Sequence, residues 1–93
     1  MIHSFLNKET AKIWGRQFSK KLPPEIQKRA LSKLKALSAA VELIDLQAPP
    51  SNHLEALQGD WAGFYSIRIN DQWRIVFQFN EGQAHQVGIV DYH

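Results

Sequence analysis

A chain of 93 residues, 44% hydrophobic and 22% charged, is an ordinary globular balance with room for one core. It has no cysteine, which excludes disulfides and thiolate metal sites, and no apolar run nears the roughly 18 residues of a membrane span. The net charge of +2 is unevenly spread: residues 1–40 carry nine Lys/Arg against two Glu, residues 41–93 two Arg against seven acids, so the first half suits either a polyanionic partner or solvated, lysine-rich helices.

In chain order, "MIHSF" alternates, with Ile2 and Phe5 apolar, and reads as a short strand; "MIHSFLNKET" lacks the basic-then-apolar pattern of a signal peptide. Asn7 is an N-cap for a helix over 8–20 that sets Ala11, Trp14 and Phe18 on one face. "LPPEIQ" ends that helix and opens another, since proline is accepted in a first turn and Glu25 favours its positive end. There Ile26, Ala30, Leu34, Leu37 and Val41 follow steps of four, four, three and four, making one apolar stripe. Lys28 and Lys35 point away from it, and Arg29 and Lys33 flank it. "VELIDL" continues the helix or forms a short extra turn, and "QAPPSN" is a loop. From Leu54 the period becomes two. Tyr65, Ile67 and Ile69 share a face, as do Trp73, Ile75, Phe77 and Phe79, and then Val87 and Ile89. The expected fold is α+β: two or three N-terminal helices packed on one face of a small, mainly antiparallel sheet, as a single domain over 1–93.

The strand pattern fixes a register. A turn at Asn70-Asp71-Gln72 sets Ile67 opposite Ile75 and keeps every large apolar residue on one face. Arg68 then stands directly opposite Arg74 on the other face. A three-residue turn at "NEG" would pair Ile75 with Val87 and Arg74 with Gly88, leaving open space beside two guanidinium groups. Like charges face to face destabilise a sheet, whereas a phosphate is bound by arginine in bidentate fashion. The competing reading is a pair of surface arginines, one paired with Asp71 or Glu55. Tyr92 shares the arginine face and could stack on a base; Asp91 and His93 fall on the other parity and reach the site only where the strand twists or ends. His3 and His85 read as solvated or edge residues, His53 as a loop residue, Trp14 and Trp73 as core and Trp61 as exposed. No His/acid spacing matches a metal motif.

The run "LQGDWAGFYSIRINDQWR", Leu57 to Arg74, followed by the closing "DYH", resembles the HigB-type toxins of the RelE/ParE superfamily, and "MI.SF" at the start extends the likeness over nearly the whole chain. The resemblance implies a bacterial, cytoplasmic toxin encoded beside a helix-turn-helix antitoxin, with the complex binding operator DNA through the antitoxin. Typical members enter the A site of the small ribosomal subunit and cut messenger RNA there. By position, the family's catalytic tail falls on Asp91, Tyr92 and His93, and its phosphate-contacting arginine on Arg74, with Arg68 beside it. Relatives can carry a catalytic histidine two residues before the family's leucine. Here that position is Glu55, with His53 two residues earlier.

These residues permit a metal-free and cofactor-free cleavage. The 2′-OH of RNA attacks the adjacent phosphate, given a base, charge stabilisation on the phosphoryl oxygens and an acid for the 5′ oxygen. Arg74 and Arg68 would stabilise the charge. An imidazole such as that of His93 titrates near neutrality and serves as base or acid; Asp91 orients it or acts as base; Glu55 is a further base candidate; Tyr92 stacks or donates. RNA contacts would extend to His53, Lys28 and Lys35. Two rivals predict other behaviour: a ParE-like inhibitor that binds DNA gyrase and cuts nothing, and a module docking on ribosomal RNA through Lys28 and Lys35.

Overall fold

The computed structural model describes Met1–Tyr92; His93 lies outside the described residues. Helix α1 spans Lys8–Trp14 and α2 spans Pro24–Ala39. Three short 3₁₀ segments follow at Leu43–Gln47, Pro50–Asn52 and Gly59–Trp61. Strands β1 (Glu55–Ala56), β2 (Tyr65–Arg68), β3 (Trp73–Asn80) and β4 (Gln83–Asp91) form one antiparallel sheet in the order β1-β2-β3-β4. The two helices cover one face of it, and the buried core joins Ile13, Ile26, Leu34 and Leu37 to Ile67, Ile75, Phe77, Val87 and Ile89.

Helix α1 is shorter than its apolar pattern. Asn7 caps it as expected, its side chain accepting from the Thr10 N–H at 2.9 Å. The helix stops at Gly15, where Arg16 turns left-handed at φ 62°. Phe18 is therefore 64% exposed, and the buried side of α1 is Thr10 and Ile13 rather than an Ala11-Trp14-Phe18 face. Beyond it, Gln27 holds the connection: its amide donates to the carbonyls of Ser19 and Leu22 at 2.8 and 2.9 Å, and its oxygen accepts from the Ser19 N–H at 3.1 Å.

Helix α2 buries Ile26, Ala30, Leu34 and Leu37, but Val41 is 72% exposed. Asp45 is the reason. Its carboxylate accepts from the N–H groups of Val41 and Glu42, each at 3.0 Å, so these donors are satisfied outside the helix. Buried Asn52 closes the following loop, donating to the carbonyls of Leu46 and Ala48.

The β2–β3 hairpin has the expected register, with Ile67 opposite Ile75 and Arg68 opposite Arg74. The β3–β4 hairpin does not. Its turn is the two residues Glu81 and Gly82, both left-handed at φ 52° and 76°, and a bulge near Gln86 (φ 50°) adds another residue to β4. Ile75 thus faces Ile89, Arg74 faces Val90 and Gly88 faces Val76. Two one-residue shifts together preserve the parity, so the apolar face survives while the pairing moves by two. Gly88 leaves no open space beside Arg74, because Leu6 lies against it; a Cβ there would come within 2.7 Å of a Leu6 methyl.

The N-terminal segment pairs with the outer side of β4 through parallel bridges at Ile2–Ala84 and Phe5–Val87. The N–H of Ile89 then meets the Thr10 hydroxyl at 2.9 Å. One edge of the sheet is closed in this way.

Candidate active site

Arg74 is the centre of the arginine face. It points from β3 away from the helices, yet its side chain is only 12% exposed. Its Nε donates to the hydroxyl of buried Ser66 on β2 at 2.8 Å, and Nη2 donates to the His53 carbonyl at 2.6 Å. The guanidinium carbon lies 5.9 Å from the ring centre of Tyr92, a cation–π distance. Glu55 of β1, whose side chain is half exposed, places a carboxylate oxygen 3.5 Å from Nη2. The twist of a sheet ordered β1-β2-β3-β4 gathers these groups: β1 supplies Glu55, β2 Ser66, β3 Arg74 and the end of β4 Tyr92.

Arg68 stands across from Arg74 but pairs with Asp71 in the hairpin turn. Both arginines thus have a carboxylate beside them, as the surface-arginine reading requires. Only Arg74 is also enclosed. His53 contributes its backbone: it is left-handed at φ 45°, its carbonyl is taken by Arg74, and its side chain is exposed. Asp91 lies opposite Trp73 and accepts from the Gln72 amide at 2.9 Å, on the other parity from Tyr92. The Tyr92 N–H is held by the Gln72 carbonyl at 2.9 Å, which anchors the strand end. Lys28 and Lys35 are exposed on α2, in the helical layer on the opposite side of the sheet from Arg74. His93, expected in the catalytic tail, lies outside the described residues.

Ser66 is a site residue that sequence reasoning misses. The signal for it is its parity with Arg68, two positions along the same strand. Arg29 and Lys33 do more than flank α2; with Arg68 they line a groove of about 490 Å³ at the hairpin end of the sheet. Burial first, and then the nearby charge of Arg29, hold the Lys33 ammonium below its ordinary pKa. Of the tryptophans, Trp14 and Trp73 pack partly buried against the core, while Trp61 is half-buried edge-on to Phe64. Among the described residues no group of three or more His, Asp or Glu side chains is placed to hold a metal ion, and no helix is long and apolar enough to cross a membrane.

Two helices on one face of a four-stranded antiparallel sheet are the architecture of a RelE-like toxin. The fold is similar to that of a chain in the YoeB–YefM complex from Staphylococcus aureus (TM-score 0.62, 16% identity, covering 100% of this chain and 98% of that one). It is also similar to a mutant of YafQ from E. coli (TM-score 0.60, 15% identity, 98% and 91% covered). More particularly, residues 3–93 match the family model of the RelE-like toxin of type II toxin-antitoxin system HigB, and the chain belongs to that HigB family. The Endoribonuclease HigB of Proteus vulgaris is 32% identical over 93 residues, all of both chains. Toxin HigB-1 of Vibrio cholerae is 41% identical over 63 residues, a stretch covering 68% of this chain and 66% of that relative's length.

Proposed function

We propose that residues 1–93 act as one domain, a toxin endoribonuclease that cuts messenger RNA in the A site of the small ribosomal subunit. The observation that carries this reading is the enclosure of Arg74: a guanidinium fixed by Ser66 and the His53 carbonyl, flanked by the Tyr92 ring and the Glu55 carboxylate. A solvated surface arginine has no need of such a setting, whereas a group that meets charge developing on a phosphate gains from being fixed beforehand. The endoribonuclease name of the Proteus vulgaris relative supports the same reading.

In the proposed step the 2′ oxygen bonds to phosphorus as the bond to the 5′ oxygen breaks. The 2′ proton passes to a base, and an acid returns a proton to the leaving 5′ oxygen. Arg74 stabilises the charge on the phosphoryl oxygens, with Arg68 beside it. Glu55, whose carboxylate lies 3.5 Å from Arg74, is the base candidate on β1. Tyr92 offers its ring to a base or sugar. Asp91 and His93 complete the proton transfer, His93 on the strength of its chemistry alone. The partner in the resting state is a cognate helix-turn-helix antitoxin, through which the complex would bind operator DNA. The family's description as one half of a toxin-antitoxin system supports that partner, and so does the toxin-antitoxin assembly of the YoeB–YefM neighbours. The site of action is the bacterial cytoplasm.

Purified protein added to a translation reaction should cut the messenger, and Arg74→Ala should slow this by about 10²–10³-fold, as expected for loss of one charge-stabilising donor. Intact messenger, together with inhibited supercoiling by gyrase, would overturn the reading in favour of the non-catalytic ParE-like one.

A further inference from the structure

The groove beside the candidate active site holds more positive charge than the fold uses. Arg29 and Lys33 are one turn apart on α2, a spacing at which like charges repel. Both are held over the same groove by neutral partners. Arg29 donates to the Ile69 carbonyl at 3.2 Å, and Lys33 donates to the side-chain oxygen of Asn52. Among the described residues neither has a carboxylate within ion-pairing distance. The groove's one acid, Asp71, is engaged with Arg68. Each of the two cations keeps unused donors, since an ammonium has three and a guanidinium five. The lowered pKa of Lys33 has two causes, burial and the Arg29 charge, and the opposite charge of a bound anion would act against both.

The groove also adjoins the Arg74 site by a definite route. Ser51 lines it, Asn52 accepts from Lys33, and the His53 carbonyl accepts from Arg74, so one short turn touches both places. From the other side Arg68 lines the groove and stands opposite Arg74 in the sheet. A single strand of RNA carries a phosphate at every nucleotide, so a strand seated at Arg74 has further phosphates to offer its neighbour.

We propose that the groove formed by Arg29, Lys33 and Arg68 seats a second phosphate of the RNA strand whose scissile phosphate lies against Arg74. The proposal rests on the ribonuclease reading for the identity of the strand, and its test is a binding measurement that does not require cleavage. The probes are a 2′-O-methyl RNA hexamer, whose blocked hydroxyls prevent cleavage, and the corresponding dinucleotide with a single phosphate. Each is titrated by fluorescence anisotropy at several salt concentrations.

The double variant Arg29→Gln/Lys33→Gln should weaken hexamer binding by about tenfold or more. It should also flatten the salt dependence by about 0.7 logarithmic units per decade, the value for one lost phosphate contact to a single strand. It should leave the dinucleotide's behaviour as in the wild type. The charge-keeping swap Arg29→Lys/Lys33→Arg should retain hexamer binding, and melting curves confirm that both variants are folded. Hexamer affinity unchanged by the Gln pair, equal weakening of both probes, or no hexamer binding by the wild type would each overturn the groove. Messenger cleavage by the wild type in a translation reaction is scored separately. Cleavage with an indifferent groove defeats this proposal alone, and groove-dependent binding with intact messenger defeats the ribonuclease reading alone.

Discussion

Arg74 gives two of its five donors to the protein itself, one to Ser66 and one to the His53 carbonyl. That is a cost in available hydrogen bonds and a gain in fixed geometry. Ser66→Ala should therefore separate the two. It leaves Nε–H without its acceptor in a poorly exposed place, and should cost about 1–3 kcal/mol in urea unfolding. Under the proposed function, cleavage should fall as well, though less than in Arg74→Ala, because the charge remains. Arg74→Lys keeps the charge but cannot reach both partners with a planar fork, so its cleavage rate should lie near that of the alanine variant. A lysine variant with wild-type rate would mean that charge alone suffices. At this scale the Arg68–Arg74 pair was legible because hairpin parity depends only on the apolar pattern. Glu55 is legible from the residues as an ion-pair partner for an arginine, but as a base candidate only through resemblance, since a strand of two residues shows no periodicity. Arg29 and Lys33 were not legible as a site, because their meeting with Arg68 depends on where α2 crosses the sheet.

The elements that read most clearly are those whose pattern is repeated, and the errors lie at their ends. The stripe of α2 holds for Ile26 to Leu37 and fails at Val41, where one side chain, Asp45, competes for the backbone donors. Helix α1 fails at Gly15, and β4 at a turn and a bulge that parity cannot detect because their effects on it cancel. The turn is a stability target. Glu81 adopts a left-handed conformation that asparagine adopts more readily, so Glu81→Asn should stabilise the protein by about 0.5–1 kcal/mol in the same unfolding assay. Thr10 joins two elements at once. Its hydroxyl donates to Asn7 at 2.8 Å and accepts from the Ile89 N–H, which belongs to the covered edge of β4. Thr10→Val keeps the shape and removes both bonds. The buried Ile89 N–H is left without an acceptor, and the expected loss is about 1–3 kcal/mol.

Over the whole molecule, the uneven charge of the sequence becomes a separation in space that the linear count does not describe. The basic residues of α2 divide between two surfaces: Lys28 and Lys35 face solvent, while Arg29 and Lys33 turn to the groove at the end of the sheet. The acids are divided too, and two of them fasten local stretches of the chain, one beyond the end of each helix. Glu9 of α1 accepts from the Ser19 hydroxyl at 2.5 Å, which lowers its pKa first of all; the charges of Lys12 and Lys21 add to this, and partial burial opposes it. Asp45 is lowered by the N–H groups of Glu42 and Val41 at the end of α2. In both cases the folded state favours the ionised carboxylate, so the unfolded chain binds protons first as pH falls. The stability they contribute is in full force above the unfolded pKa values of about 4.3 and 3.9, and is lost as pH drops through the lower folded values. Melting temperature should accordingly fall on the acid side of about pH 4, with no change due to these two groups between about pH 5 and 7. Asp45→Asn should melt below the wild type at about pH 7, and the gap should narrow steadily below about pH 4 as the wild-type carboxylate takes up its proton. Ser19→Ala should do the same for Glu9, by withdrawing the hydroxyl that favours its charge. Thermal melts of the three proteins from about pH 2.5 to 7 check this, and a gap that stays constant down to the lowest pH would show that neither carboxylate stabilises the fold through its charge.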